Sequence, residues 1–534
     1  MTAWGFLLAL LALCALPCSE ALHFTPEAAN NTLRSVYDYI IVGGGTAGLT
    51  IANRLSENSS GSPISGLLPV PGVIGNGGWS EYEWGLITEP QTYLNDQYME
   101  IPQGKAIGGI HVSYPRYFYS QSSELPIGFD STTISDFDVA NVLDGFSELG
   151  IPIIDDPNNG TAAGAMLLPS SMHPTNQTRS DAREAHFNVA DRRSNLHVAI
   201  GHTVTRLILE PHNRFTGSRR VVGVEVRYPR PQAIRKAKKR TVACKREVIV
   251  SAGAIFSPTL LQVSGIGPAK ILESLDIPVE IDLPGVGYNL QDHPMIYATY
   301  YYRNSSLFKS DAIIGEVHDQ VSRMYINNRT GMSIYFVDDK SSGKAVPDDA
   351  PHSVKIGYEA QKEILGQQVL SNDMGIFETM ANSWGQLTVA AQKTFSRGTV
   401  RPSTSSIFDP PLLDPRYCSD PIDCEIIVLG LQLNMKLIET KAMKELMPEP
   451  YTAFNTTDHD KLMREVLRGL TTERHPSGTV AMMPRDLGGV VDPELRVYGT
   501  CNLRVADASI MPLIPSAHLQ AVVYAIAEKV SLGR

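Results

Sequence analysis

A β-branched run at residues 37–42 passes through a glycine turn into a helical pattern, strand-like segments cluster between residues 195 and 254, and residues 295–450 carry uneven β patterning with tyrosines and proline-rich turns. Together these predict a mixed α/β and α+β fold, a Rossmann-like dinucleotide-binding domain with a separate sheet covering it. The first element is Tyr37-Asp38-Tyr39-Ile40-Ile41-Val42, followed by Gly43-Gly44-Gly45-Thr46-Ala47-Gly48 and then Leu49 to Leu55. Gly43, Gly45 and Gly48 have the G-x-G-x-x-G spacing. Such spacing gives a tight turn, room for a pyrophosphate at the helix N-terminus, and close helix–strand packing.

A second strand ending in an acidic residue is expected about 20 residues beyond the glycines, to hold ribose hydroxyls. The sequence predicts none: after Glu57 it enters Asn58-Ser59-Ser60-Gly61-Ser62-Pro63, a turn composition. Later strands are expected at His197–Ile200, Val204–Leu209, Val221–Tyr228 and Glu247–Ala254, with the basic stretch Arg235–Arg240 as a solvated loop between two of them. Helical spacing returns from Cys424 to Ala442 and from Asp458 to Leu467. No internal repeat is visible.

Length and composition bound the function. At 534 residues the chain is long enough for several domains of roughly 100–200 residues each. Its net charge of −10 provides no general basic field for nucleic acid or an anionic membrane. Phe6 to Leu16 is an apolar run with the length of a signal-peptide core, too short to span a bilayer, which needs about 20 apolar residues. A cleaved signal over residues 1–19 would remove Cys14 and Cys18, leaving Cys244, Cys418, Cys424 and Cys501. Cys418 and Cys424 could close a small loop or remain two buried thiols. Sequons at Asn30, Asn58, Asn159, Asn176, Asn304, Asn328 and Asn455 agree with a secreted, N-glycosylated protein.

Two histidines near the C-terminus are candidates for acid–base chemistry, His475 in H-P-S-G-T and His518 in P-S-A-H-L. An imidazole is suited to take a proton from an alcohol near neutral pH; spacing alone leaves two unrelated loop histidines as the alternative. Asp507, after the strand-like Leu503-Arg504-Val505, could lie beside a cofactor or serve as a helix cap. The sequence contains no H-E-x-x-H, G-x-S-x-G or Walker A run, and no metal site is predicted.

These segments resemble the glucose–methanol–choline (GMC) oxidoreductases, in particular their glucose-oxidase- and aryl-alcohol-oxidase-like fungal branch. The resemblance rests on residues 37–50, on G-K-A-I-G-G at 104–109, on S-A-G-A-I-F-S-P-T-L-L-Q-V-S-G-I-G-P at 251–268, on D-L-P-G-V-G-Y-N-L-Q-D-H-P at 282–294, and on the stretch from His475 to Lys529. It implies a Rossmann-like FAD-binding domain with an antiparallel-sheet substrate-binding domain. The implied division is FAD-binding segments at 35–120 and 191–294, a connecting segment at 121–190, a substrate-binding domain at 295–450, and a C-terminal FAD-binding and catalytic segment at 451–534.

The resemblance implies FAD as cofactor, held by Gly43, Gly45, Thr46, Ala47, Gly48, Gly108, Val204, Ala252, Asp507 and Ala508. It implies oxidation of a primary or secondary small-molecule alcohol, a secondary-metabolite intermediate among the options, by hydride transfer to flavin N5. His475 would be the base and His518 its partner at the substrate oxygen. Oxygen or another acceptor would take the electrons, and the protein would act as a monomer or homodimer without stable membrane insertion. Two departures stand out: the missing second strand, and Ile110-His111-Val112-Ser113 where members carry Gly-Gly-Ser-Ser followed by Asn-Gly. They motivate an alternative, a GMC-fold protein with weakened or lost FAD binding that acts as a non-redox biosynthetic enzyme or binding protein.

Overall fold

The computed structural model describes residues 22–24, 33–57, 64–67, 83–105, 107–108, 137–154, 163–166, 181–211, 217–227, 239–304, 346–369, 374–381 and 385–531. The apolar N-terminal run, the Ile110–Ser113 departure and the sequons at Asn30, Asn58, Asn159, Asn176 and Asn328 lie outside these residues.

The main sheet is built from β1 (Leu22–Phe24), β2 (Val36–Val42), β3 (Ile64–Leu67), β4 (Leu196–Ala199), β5 (Thr203–Leu209), β6 (Val221–Arg227) and β7 (Lys239–Val250). Their order is β1-β4-β3-β2-β7-β6-β5, and β12 (Leu503–Val505) pairs with β7 off this path. β2 is parallel to β3 and β7, and β12 is parallel to β7, whereas β5, β6 and β7 form an antiparallel meander. Ile40, Ile41 and Val42 are buried, as a central parallel strand covered on both faces requires. Helix α1 (Thr46–Ser56) follows the glycine turn and packs against α7 (Gln520–Ser531), with Arg54 Nε 2.9 Å from Glu528 Oε2.

The expectation of no strand after Glu57 is corrected. Four residues, Ile64-Ser65-Gly66-Leu67, form β3 between β2 and β4, with Ile40 opposite Ser65 and Gly66 opposite Val198. Backbone pairing on both sides holds this strand, so it needs no β-branched run of its own. No Asp or Glu follows it until Glu81, so the acidic departure stands. The basic stretch is corrected in part, since Lys239 and Arg240 already belong to β7.

A second core lies around an antiparallel sheet of order β9-β10-β8-β11, formed by β8 (Pro294–Ile296), β9 (Phe377–Ala381), β10 (Leu387–Ala391) and β11 (Thr471–Thr472). Helix α5 (Pro421–Ile438) packs on it, capped by Asp420, whose side chain accepts from Ile422 N. Phe377, Val389, Ile427, Leu431 and Leu437 share this core with Val142 and Phe146 of α2 (Phe137–Glu148) and with Leu462 and Val466 of α6 (His459–Gly469). Cys418 and Cys424 form a disulfide at the start of α5, which decides between the two readings of that pair; Cys244 is buried and Cys501 exposed as free thiols. No described helix is long and apolar enough to cross a membrane.

Candidate active site

Strands β2, β7 and β12 end side by side at Val42, Val250 and Val505, and the chain turns away from each at the same edge. Parallel sheets bind ligands beyond such carboxyl ends. Gly43 has φ +124°, and a Cβ there would lie 2.1 Å from Ser251 O; a Cβ at Gly48 would lie 2.0 Å from Gly43 O. Only glycine allows these approaches. Gly45 is the N-cap of α1 and no side chain caps that helix, so Thr46 and Ala47 open it with amide groups available to an anion.

Asp507 joins the same edge. Its Oδ2 accepts from Gly253 N (2.9 Å) and Ser257 Oγ (2.6 Å), its Oδ1 from Ser509 N (2.8 Å), and Ser257 Oγ in turn accepts from Ala252 N (3.1 Å). Burial raises its pKa against the pull of these donors. Ala508 O accepts from Gly478 N at 3.1 Å, tying this turn to the H-P-S-G-T segment. Gly108 N donates to Gly44 O at 2.9 Å, so the 104–109 block does reach the glycine turn. Val204 stands apart from this grouping, buried in β5 and paired with Val226.

The two candidate histidines meet, with His475 and His518 ring centroids 5.1 Å apart. His475 is buried, and burial pushes its pKa below the ordinary value, opposed by Glu473, so it is neutral and able to accept a proton at neutral pH. Its backbone is fixed by Asp292, whose Oδ1 accepts from His475 N and His293 N, both at 2.8 Å. Asp292 Oδ2 accepts from Tyr417 Oη (2.6 Å) and Thr472 Oγ1 (2.5 Å). Between Glu473 and His475, Arg474 adopts φ +69°, a left-handed conformation that costs roughly 1–2 kcal/mol outside glycine. Thr472 Oγ1 supports it by accepting from Arg474 N at 2.7 Å. The His518 segment is held by Gln291, which donates to Pro512 O (3.1 Å) and accepts from Ile514 N (3.1 Å), and by the buried Lys393, which donates to Ile514 O (2.9 Å). Burial lowers the Lys393 pKa to about 8.

Asp292, His293, Glu378 and Glu473 are site residues that spacing did not single out. The local hints were Glu473, two positions before His475, and Asp292-His293 at the end of the 282–294 segment. Glu378 comes from β9 and His293 immediately precedes β8, so strand pairing brings them together. The trios His293/Glu473/His475 and Glu378/Glu473/His518 each present ligand atoms within 4.8 Å of one another, a spacing a metal ion could also use. His293 Nδ1 and His475 Nδ1 are 3.0 Å apart, close enough to share a hydrogen bond.

Comparison with known proteins decides the family. The GMC oxidoreductase N-terminal and C-terminal family models match residues 113–295 and 394–527, together more than half of the chain. This protein belongs to the GMC oxidoreductase family. A GMC oxidoreductase family protein, Mala s 12 of Malassezia sympodialis, is 29% identical, covering 92% of this chain and 91% of its own. A FAD-dependent oxidoreductase from Chaetomium thermophilum superposes with a TM-score of 0.81 at 26% identity, over 93% of this chain and 98% of that one. A fungal aryl-alcohol oxidase gives a TM-score of 0.75 at 25% identity, with the same coverages.

FAD is the cofactor this GMC fold indicates, and the residues present fit its pyrophosphate: an uncapped helix N-terminus behind a turn whose Gly43 and Gly48 leave no room for a Cβ. What the GMC chain lacks is the carboxylate after β3.

Proposed function

We propose that the protein oxidises the hydroxyl group of a small-molecule alcohol to a carbonyl, with His475 as the base and His518 holding the substrate oxygen. The observation that carries this reading is the buried, neutral His475 beside His518, at a site continuous with the dinucleotide cradle through the contact of Gly478 N with Ala508 O. Bound FAD supplies the hydride acceptor. His475 takes the hydroxyl proton, and Asp292 keeps its backbone in place while it does so. His518 orients the oxygen, so the reacting groups meet without a further entropic cost. The aryl-alcohol oxidase neighbour favours a primary or aryl alcohol as substrate class, with oxygen or another acceptor completing the cycle.

Secretion with N-glycosylation remains part of this proposal; it is supported by the apolar N-terminal run and by the exposed Asn455 sequon. The deciding experiment is an absorbance spectrum of the purified protein before and after anaerobic addition of primary and aryl alcohols. Stoichiometric flavin that bleaches with an alcohol supports the oxidation. A protein that stays colourless after incubation with FAD overturns it in favour of the non-redox alternative, which the missing carboxylate after β3 motivates.

A further inference from the structure

We infer that Glu473 is a positioning residue that holds His475 and His518 as one unit, one carboxylate oxygen facing each imidazole. The inference rests on the proposed alcohol oxidation for its kinetic consequence, and on geometry for its existence. Glu473 Oε2 lies 3.3 Å from His475 Nδ1, 3.1 Å from His293 Nδ1 and 3.0 Å from Gln392 Nε2. Its Oε1 lies 3.2 Å from His518 Nε2. An ionised carboxylate only accepts, so three of these nitrogens converge on Oε2 and His518 Nε2 alone faces Oε1.

The charge state follows from the neighbours. Burial by itself would raise Glu473, but His475, Glu378 and His293 together hold it well below the ordinary carboxyl value. Glu378 goes the other way, pushed well above that value by burial and by the adjacent Glu473 charge. His518 Nε2 lies 3.5 Å from Glu378 Oε1, but neither Glu378 oxygen accepts a hydrogen bond, which is costly for a buried carboxylate and natural for a carboxylic acid that itself donates to Glu473. The pair therefore carries one proton and one negative charge.

That single charge selects the tautomer of His475. A proton on His475 Nδ1 has Glu473 Oε2 as acceptor at 3.3 Å, whereas a bare Nδ1 would set its lone pair against a carboxylate. Nδ1 is therefore protonated, and Nε2 is left as the nitrogen that accepts the substrate proton. The imidazolium then formed lies beside a carboxylate at no further cost in reorganisation. The groups facing His475 are Glu473 on its own segment, Asp292 and His293 before β8, and His518, while Glu378 from β9 lies against Glu473 and His518 and Lys393 beyond β10 acts on His293; among them Glu473 alone contacts both candidate histidines with an ionised oxygen.

The test uses the full-length holoprotein and two variants, Glu473→Gln and Glu473→Asp. For Glu473→Gln, flavin content stays at the wild-type level while flavin reduction by the best alcohol falls roughly 10²–10³-fold. The acid limb of its pH profile moves to lower pH, because an imidazolium that has lost its carboxylate is harder to form. Glu473→Asp keeps the charge and recovers at least about tenfold of the loss. In ¹⁵N-histidine-labelled protein without substrate, the ring-nitrogen signals of both His475 and His518 move in Glu473→Gln. Loss of rate with an unmoved pH profile and unmoved ring signals would reduce Glu473 to a packing role and overturn the inference. If no alcohol reduces the wild-type flavin, the proposed reaction fails, and the ring-nitrogen signals alone still decide the role of Glu473.

Discussion

Replacing Asp292 by alanine tests whether the base is held by its backbone. The carboxylate accepts four hydrogen bonds at 2.5–2.8 Å, two from the amides of His293 and His475 and two from the hydroxyls of Thr472 and Tyr417. In Asp292→Ala both amides are left buried without an acceptor, at about 1–3 kcal/mol each, and two hydroxyl bonds to a charge are lost at about 1.5–3 kcal/mol each. Against this, burying a carboxylate, which already raises the Asp292 pKa, is no longer necessary and returns several kcal/mol. The net loss is about 3–5 kcal/mol, a fall in Tm of roughly 3–5 °C for a chain of 534 residues. Freed from Asp292, His475 shifts, and a misplacement of about 1 Å costs roughly 10²-fold in rate. Asp292→Asn keeps one oxygen for both amides and loses about 1–2 kcal/mol with less than a tenfold drop in rate. The assay is differential scanning calorimetry together with anaerobic stopped-flow flavin reduction, each normalised to flavin content. Asp292→Ala within about 1 °C of wild type and equally fast would show that Asp292 does not hold the base in place.

Other outcomes follow from the same structure. Gly48→Ala sets a Cβ 2.0 Å from Gly43 O, so the turn must open; the purified variant is expected to lose most of its flavin absorbance, and full occupancy would contradict the cradle. Because burial lowers the His475 pKa, flavin reduction should reach its plateau with an acid limb below the free-histidine value of about 6.5, and a limb above that value would count against His475 as the base. Asp423 is buried, and burial raises its pKa to about 6 although it accepts from Phe395 N (2.7 Å) and Ser396 N (2.9 Å). With a folded-state pKa above the unfolded one, its contribution to stability is complete below about pH 4 and is lost as pH rises through about 6. The Tm of Asp423→Asn should therefore gain on wild type between pH 4 and 7, by the equivalent of about 3 kcal/mol, and a gap independent of pH would show the shift to be absent.

Features that are local in the chain are legible in its residues alone. Tyr37–Val42, the glycines at 43, 45 and 48 and the helix after them could be read because periodicity and turn chemistry act over a few residues, and the strand and its helix formed where those signals placed them. The histidine pair was legible only as two short motifs. Tertiary structure made it a site, because the His475 and His518 rings come within 5.1 Å of each other and His293, 182 positions from His475, joins them through the pairing of β8 with β11 and the shared Asp292 carboxylate. The strand Ile64–Leu67 was missed for the complementary reason, since parallel pairing with β2 and β4 imposes an extended backbone on residues whose own preference is weak. Charge state was also a tertiary matter. Nothing in the composition distinguishes Glu378 from Glu473, yet burial beside each other makes one the proton holder, and His475 and His293 together with that proton make the other an anion. Local sequence sets which backbone forms and which side chains are available; pKa and proton direction depend on desolvation and on neighbours from distant segments, which exist only once the two cores have closed around them.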